Sequence, residues 1–233
     1  MKRELFLVGS SLYGDGKHLA HCEHGLKEFL GSMEQGDVIA YIPYATEDWL
    51  TYSRKAEDTF SKLGYTAKSV IDFLHPSLLL NDQKTKAIFV EGGDAFLLCK
   101  MLKRFNLENL ISRDVKNGSK KYIGSGAGVV IVCPVIPNLP MGIKALNLID
   151  LQISPYCVPK GLTYKTERED NVLLKEYRRQ YNNPVIGLPD GSWVEVKNGD
   201  IVLSGLEWAD VHRKAEQGTL WLPGEPYPVT GML

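Results

Sequence analysis

The 233-residue sequence contains no apolar run near the ~20 residues that a membrane span needs. It also lacks an excess of charge of either sign. The formal net charge is -1 and the pI about 6.5, which excludes a general affinity for nucleic acid or for an anionic membrane surface. It has no C-x-x-C pair: Cys22, Cys99, Cys133 and Cys157 are scattered, so a reduced, cytoplasmic compartment is expected. Internal repeats, low-complexity runs and linkers are missing too. One domain over 1–233 is therefore expected, with 206–233 as a peripheral arm. Met1-Lys2-Arg3-Glu4 precedes an apolar stretch, Leu5 to Val8, that is too short for a signal peptide and reads as a first strand. What is present is ordinary for a folded chain: 44% hydrophobic and 24% charged residues supply a sizeable core.

Strand and helix patterns alternate over the first 130 or so residues. Glu4 to Gly9, Val38 to Ile42, Thr66 to Ile71, Lys86 to Val90 and Lys121 to Ile123 read as strands. Between them, helical spacing runs over Lys17 to Leu30, Asp48 to Leu63 (with Gly64 as a C-cap), Ala95 to Phe105 (with Asp94 as N-cap) and Leu107 to Lys116. Farther on, Ala145 to Tyr156 has a strand pattern and Arg168 to Arg179 a helical one. The tail carries Val185 to Leu188, Ser192 to Val196 and Ile201 to Ser204, the last two joined across Asn198-Gly199, a strong hairpin turn. The fold class expected is α/β: a mainly parallel sheet flanked by helices on both faces, with a C-terminal antiparallel hairpin.

The stretch that points to chemistry is Tyr122-Ile123-Gly124-Ser125-Gly126-Ala127-Gly128. An apolar strand runs into small residues and then into a helix, the layout of an elbow that lifts a nucleophile to the top of a sheet. Gly124 and Gly128 hold the flanking positions of a G-x-S-x-G pattern, but the centre is Gly126 and the only hydroxyl, Ser125, falls one place early.

Several ordered segments resemble the peptidase E (α-aspartyl dipeptidase) family, whose relatives include cyanophycinase. Ser10-Ser11 after the first strand is similar to the family's S-N-S-T loop, and Tyr41-Ile42-Pro43-Tyr44-Ala45 to its F-I-P-F/Y-A. Val90 to Phe96 is similar to V-G-G-G-N-T-F, and Tyr122 to Pro134 to Y-I-G-W-S-A-G-A-x-x-x-C-P. Leu151 to Tyr156 is similar to L-Q-I-N-P-H, and Val185 to Trp193 to V-I-G-L-P-E-G-N-W. The likeness runs from Leu5 to about Gly205. It implies a class I glutamine amidotransferase-like architecture and a cytosolic serine dipeptidase that removes an N-terminal aspartate with a Ser-His-Asp type triad. By the same resemblance the nucleophile falls on Gly126, the histidine on Tyr156 and the acid on Leu139. Glycine cannot form an acyl-enzyme. Tyrosine, with a pKa near ~10, is a poor base beside imidazole at ~6.5. Loss of a whole triad costs on the order of 10⁶ in turnover.

The remaining frame is implied to include backbone donors of an oxyanion hole at Ala127 and at Gly92 or Gly93, and a ligand pocket of Ser125, Tyr156, Arg168 and Asp190. Glu91 replaces a family glycine, where it would crowd the site or repel an anion. Plainer readings stand beside these. Ser125 is a displaced nucleophile or a solvated or helix-capping hydroxyl. Cys157 is reactive or structural, and Arg168 a carboxylate reader or part of the charge cluster Glu167-Arg168-Glu169-Asp170. Asp190 belongs first to a turn, and Gly92-Gly93-Asp94 to a capped helix start rather than a phosphate loop. His18, His21 and Cys22 share a helix face by spacing, as a zinc site or as solvated histidines, and His24 is assigned to packing or hydrogen bonding. No metal and no cofactor is assigned. Three functions are open: a degenerate peptidase homologue kept for a binding or structural role, a hydrolase rewired around Ser125, Tyr156 or Cys157, and a binder of a small acidic or peptide-like ligand. Exposed edges of the late hairpin offer a surface for a homodimer.

Overall fold

The computed structural model describes residues 3–14, 16–137, 142–155, 177, 179–214 and 218–228. Its large sheet contains β1 (Glu4–Val8), β2 (Val38–Ile42), β3 (Ala67–Ser69), β4 (Thr85–Val90), β5 (Lys121–Ser125), β10 (Ser192–Lys197) and β11 (Asp200–Gly205), in the order β11-β10-β1-β5-β4-β2-β3. The five strands from β1 to β3 in that order are parallel, and the hairpin β10-β11 adds an antiparallel edge beside β1. A mainly parallel sheet must be covered on both faces, and side-chain alternation divides its residues between two cores. Leu5, Leu7, Ala40, Ile42, Ile88, Val90 and Tyr122 point to one face. Phe6, Val8, Ile39, Tyr41, Ala87, Phe89 and Ile123 point to the other.

The second face is closed by α1 (Glu23–Leu30) and α2 (Trp49–Leu63), through Leu26, Phe29, Ala56 and Phe60. The first is closed by α3 (Pro76–Asn81), α4 (Ala95–Arg104), α5 (Glu108–Lys116) and the short α6 (Ala127–Val130). Each such fully buried apolar side chain contributes about 1.5–3 kcal/mol of transfer free energy. Helix ends are set locally. The Asp48 carboxylate accepts from Thr51 N at 3.2 Å, and that of Asp94 from Phe96 N at 2.7 Å and Leu97 N at 3.0 Å.

A smaller sheet, β13-β12-β9-β8, joins β8 (Gln152–Pro155), β9 (Val185–Leu188), β12 (Ala209–His212) and β13 (Thr219–Trp221), with β8 and β9 parallel. The minimal pair β6 (Val135–Ile136) and β7 (Ile143–Lys144) stands apart.

Several expectations are corrected. The helix read from Lys17 begins only at Glu23, after a 3-10 turn at Ala20–Cys22, because Leu19 takes a left-handed φ of 58° that interrupts it. The strand over Thr66 to Ile71 shrinks to Ala67–Ser69. Ala145 to Tyr156 does contain a strand, Gln152–Pro155, with Tyr156 outside the described residues, and the described part of the Arg168 to Arg179 helix is confined to its last residues. Helix α3 has too few residues to show a period and starts on Pro76, with His75 Nδ1 accepting from Ser77 N. The Pro189-Asp190-Gly191 turn passes the chain from the small sheet to the large one. Within 206–233 the described residues form β12 and β13 rather than a bare arm, and Trp221 is fully buried.

Candidate functional site

Parallel α/β sheets hold their ligands at the carboxyl ends of the strands. Here that end gathers Gly9 to Ser11 after β1, Glu91 to Gly93 after β4, and Gly126 after β5. Asp190 joins them just before β10, since β10 runs antiparallel to β1. Ser125 and Asp190 adjoin strands on opposite sides of β1, so roughly 10 Å of sheet width separates them.

The elbow is formed in full by the backbone. Gly126 adopts φ 51° and ψ -111°, a conformation that side-chain-bearing residues hold only under strain. Its N–H donates to Val8 O at 3.4 Å, and α6 starts at the next residue, Ala127, where helical N–H groups have no intrahelical acceptor. Gly128 is required by close approach: a Cβ there would lie 2.1 Å from Val90 O. The Tyr122 hydroxyl fixes the same turn by donating to Gly128 O at 2.7 Å.

Ser125 is 0% exposed, and its Oγ has no hydrogen-bond partner. Strand alternation sends it to the face of Ile123, below the turn. It is thus neither solvated nor a cap, which corrects both plain readings of it. Asp190 has an Oδ1 that is buried without a partner, and burial raises its pKa. The Gly92-Gly93-Asp94 segment is a capped helix start: Asp94 N donates to Ala45 O at 2.8 Å, and Gly93 is exposed. Leu139, Tyr156, Cys157 and Arg168 lie outside the described residues.

The described cysteines are poor nucleophiles. Burial pushes Cys22 and Cys133 up to about 12 and raises Cys99, and all three are buried.

The structure places Glu91 differently from either expectation. Its side chain is 4% exposed and turned into the α1/α2 face, clear of the strand-end surface. Three groups converge on it: His18 Nε2 at 2.6 Å and Ser11 Oγ at 3.2 Å on Oε1, and Tyr41 OH at 2.9 Å on Oε2. Burial would raise the carboxyl, but the hydrogen bonds from His18 and Tyr41, with the charges of His18 and Lys55, outweigh it and hold it below the usual carboxylate range. Burial first, and then the Glu91 charge, raises the Tyr41 hydroxyl.

His18 is held at both ring nitrogens: Nδ1 lies 2.9 Å from Thr59 Oγ1, which is itself 2.8 Å from Lys55 O, and Nε2 lies 2.6 Å from Glu91 Oε1. Nε2 carries the hydrogen that the Glu91 carboxylate accepts. The result is a buried polar pair spanning the loop after β1, β2, β4 and α2.

This network was not assembled from the sequence, which registered Glu91 only as a departure from glycine and His18 only as a helix-face residue. Its bonds join residues 41 to 80 positions apart. The available signal was an acid ending an apolar strand, since such an acid needs buried donors.

The zinc reading of His18, His21 and Cys22 is corrected with it. His18 faces Glu91, and Cys22 Sγ donates to Leu19 O at 3.4 Å. The His21 ring packs 5.7 Å from Tyr13 with both nitrogens buried and unpartnered. Burial and the charge of His18 lower its pKa. Among the described residues no group of three or more His, Cys, Asp or Glu is placed to hold a metal. His24 is exposed, with Nε2 3.5 Å from Glu28 Oε1 one helical turn on, so of packing and hydrogen bonding it is the polar contact that the structure shows.

The model of Peptidase family S51 matches residues 5–204. The chain is 30% identical over 220 residues to Peptidase E of Streptomyces coelicolor, covering 90% of this chain and 87% of that protein. It is 30% identical over 226 residues to Peptidase E of Salmonella newport, covering 92% and 95%. The crystal structure of a peptidase from an acI-B1 Actinobacterium superposes with a TM-score of 0.72 at 18% identity, covering 96% of each chain.

Proposed function

Given that the chain belongs to peptidase family S51, we propose that it is a catalytically degenerate member, inactive as a peptidase and retained for a binding or structural role. The observation that carries this reading is Gly126: the residue at the turn of a fully formed elbow has no side-chain atom to attack a carbonyl. Nothing nearby among the described residues takes its place. Ser125 is enclosed with no base on its hydroxyl, and the described cysteines are buried with raised pKa values. The one acid that replaces a family glycine, Glu91, is engaged by three donors and held ionised, which makes it a weak base. The backbone of the elbow, with the Ala127 N–H at the start of α6, survives as a polar surface for a small acidic or peptide-like ligand.

The test is hydrolysis of Asp-Leu and Asp-p-nitroanilide. No turnover is expected from the native chain. Gly126→Ser alone is expected to leave turnover absent, because a hydroxyl without a base stays a weak nucleophile. Turnover by the native chain that Ser125→Ala abolishes would overturn the reading.

A further inference from the structure

A cleft of about 460 Å³ opens on the α1/α2 side of the sheet, lined in part by Lys17, His18, Lys55, Asp58, Thr59 and Lys62. That is within the range of small-molecule sites, about 300–1,000 Å³. It is separate from the elbow, whose helix α6 packs Ala127 and Val129 into the core on the opposite face.

Its floor is polar and rigid. The His18 side chain is 5% exposed, with its ring nitrogens fixed by Thr59 and Glu91. His18 lines the cleft and Glu91 does not, so the hydrogen-bond donor of the pair faces the opening and the carboxylate lies behind it. The Glu91 carboxylate is occupied by His18, Ser11 and Tyr41, which keeps it from the cleft.

The walls supply the charge. The Asp58 carboxylate is taken by Lys62, and Glu23, also in the lining, is taken by Lys27 at 2.7 Å. Among the described residues the Lys55 ammonium makes no hydrogen bond or ion pair; it lies 5.8 Å from the centre of the Tyr52 ring and acts on Glu91 only through its field. An ammonium with no acid in contact, in a cleft whose own carboxylates are already paired, is a site for negative charge.

We propose that this cleft binds a small phosphate- or carboxylate-bearing molecule, with Lys55 as its direct ion partner and the His18–Glu91 pair as the fixed floor beneath it. The apolar wall provided by Leu63 and the lysine stems suits a short organic portion on that anion.

The experiment is calorimetric titration of the full chain with inorganic phosphate, and separately with malonate, at constant ionic strength. Saturable binding of at least one anion is expected, weakened tenfold or more by Lys55→Glu. Lys100→Glu, which changes an exposed lysine on α4, is expected to leave it unaltered. The tighter of the two probes assigns the anion class. If Lys55→Glu lowers the melting temperature of the free protein, Lys55→Gln replaces it. Absence of saturable binding of both anions, binding indifferent to Lys55, or equal loss in Lys100→Glu overturns the proposal. The outcome is independent of the peptidase test, which reads the elbow at the carboxyl ends of the strands.

Discussion

The ends of β4 and β5 lie side by side, one step beyond the paired residues Val90 and Gly124, yet they keep their shapes by different means. The turn after β5 is held by backbone: Gly128 lies against Val90 O, Gly126 N reaches Val8 O, and the one side chain involved, Tyr122, bonds a main-chain carbonyl. The end of β4 is held by side chains, with Glu91 drawing in Ser11, His18 and Tyr41. The difference teaches how an old site can outlast its chemistry. A conformation specified by main-chain contacts persists when the reactive side chain at its centre is removed. A side-chain network depends on its members, because removing one leaves a buried polar group short of a partner.

The largest expected effect tests the network. Glu91→Ala leaves the buried donors of His18, Ser11 and Tyr41 without their shared acceptor and is expected to cost about 3–5 kcal/mol, read by urea denaturation. In the double variant with His18→Ala the two losses should be far from additive. Additive losses would show the pair to be incidental. Acid sharpens the same point. The folded-state pKa of Glu91 is lowered from its ordinary 4.5, so its contribution is complete above pH 4.5 and is lost as pH falls through the lower folded value. The native chain should therefore lose stability more steeply than Glu91→Gln below pH 4.5.

Next comes the elbow. Gly128→Ala drives a methyl against Val90 O and is expected to cost about 3 kcal/mol. A neutral result would mean that the main-chain packing at the turn is slack. Smallest is Ser125→Ala, which replaces an unpartnered buried hydroxyl and should change stability by at most about 1 kcal/mol, in the stabilising direction. A loss above that would reveal a partner for the hydroxyl.

Legibility in the sequence followed the range of the interactions. Val38 to Ile42, the caps at Gly64 and Asp94, and the Asn198-Gly199 turn were readable because a few adjacent residues decide each of them. The elbow was readable too, since its close contacts demand small residues at fixed spacing. The small sheet was not: β12 and β13 have four and three residues, too few to alternate visibly, and they are stabilised by partners far along the chain. The delayed start of α1 escaped for a similar reason. His18 and Leu19 fit a helical stripe, but bonds from His18 to Thr59 and Glu91 override the local preference. The edge offered to a second copy was also misjudged, because the chain's own residues 224–227 run along it.

That last segment bears on how the protein behaves in concentrated solution. Gly224 N reaches Leu203 O, Tyr227 N reaches Ile201 O, and Pro226 bridges Val202, so the outermost strand of the large sheet presents few vacant carbonyls. Trp221, anchored in the interior and bonded through Nε1 to Glu225 O, keeps that cover in place. An uncovered strand of this kind is a template on which further chains can add and precipitate. Residues 221–227 thus occupy a rim that would otherwise stand open to strand addition, and removing them is expected to turn that rim into a growth point, read as light scattering in concentrated solution.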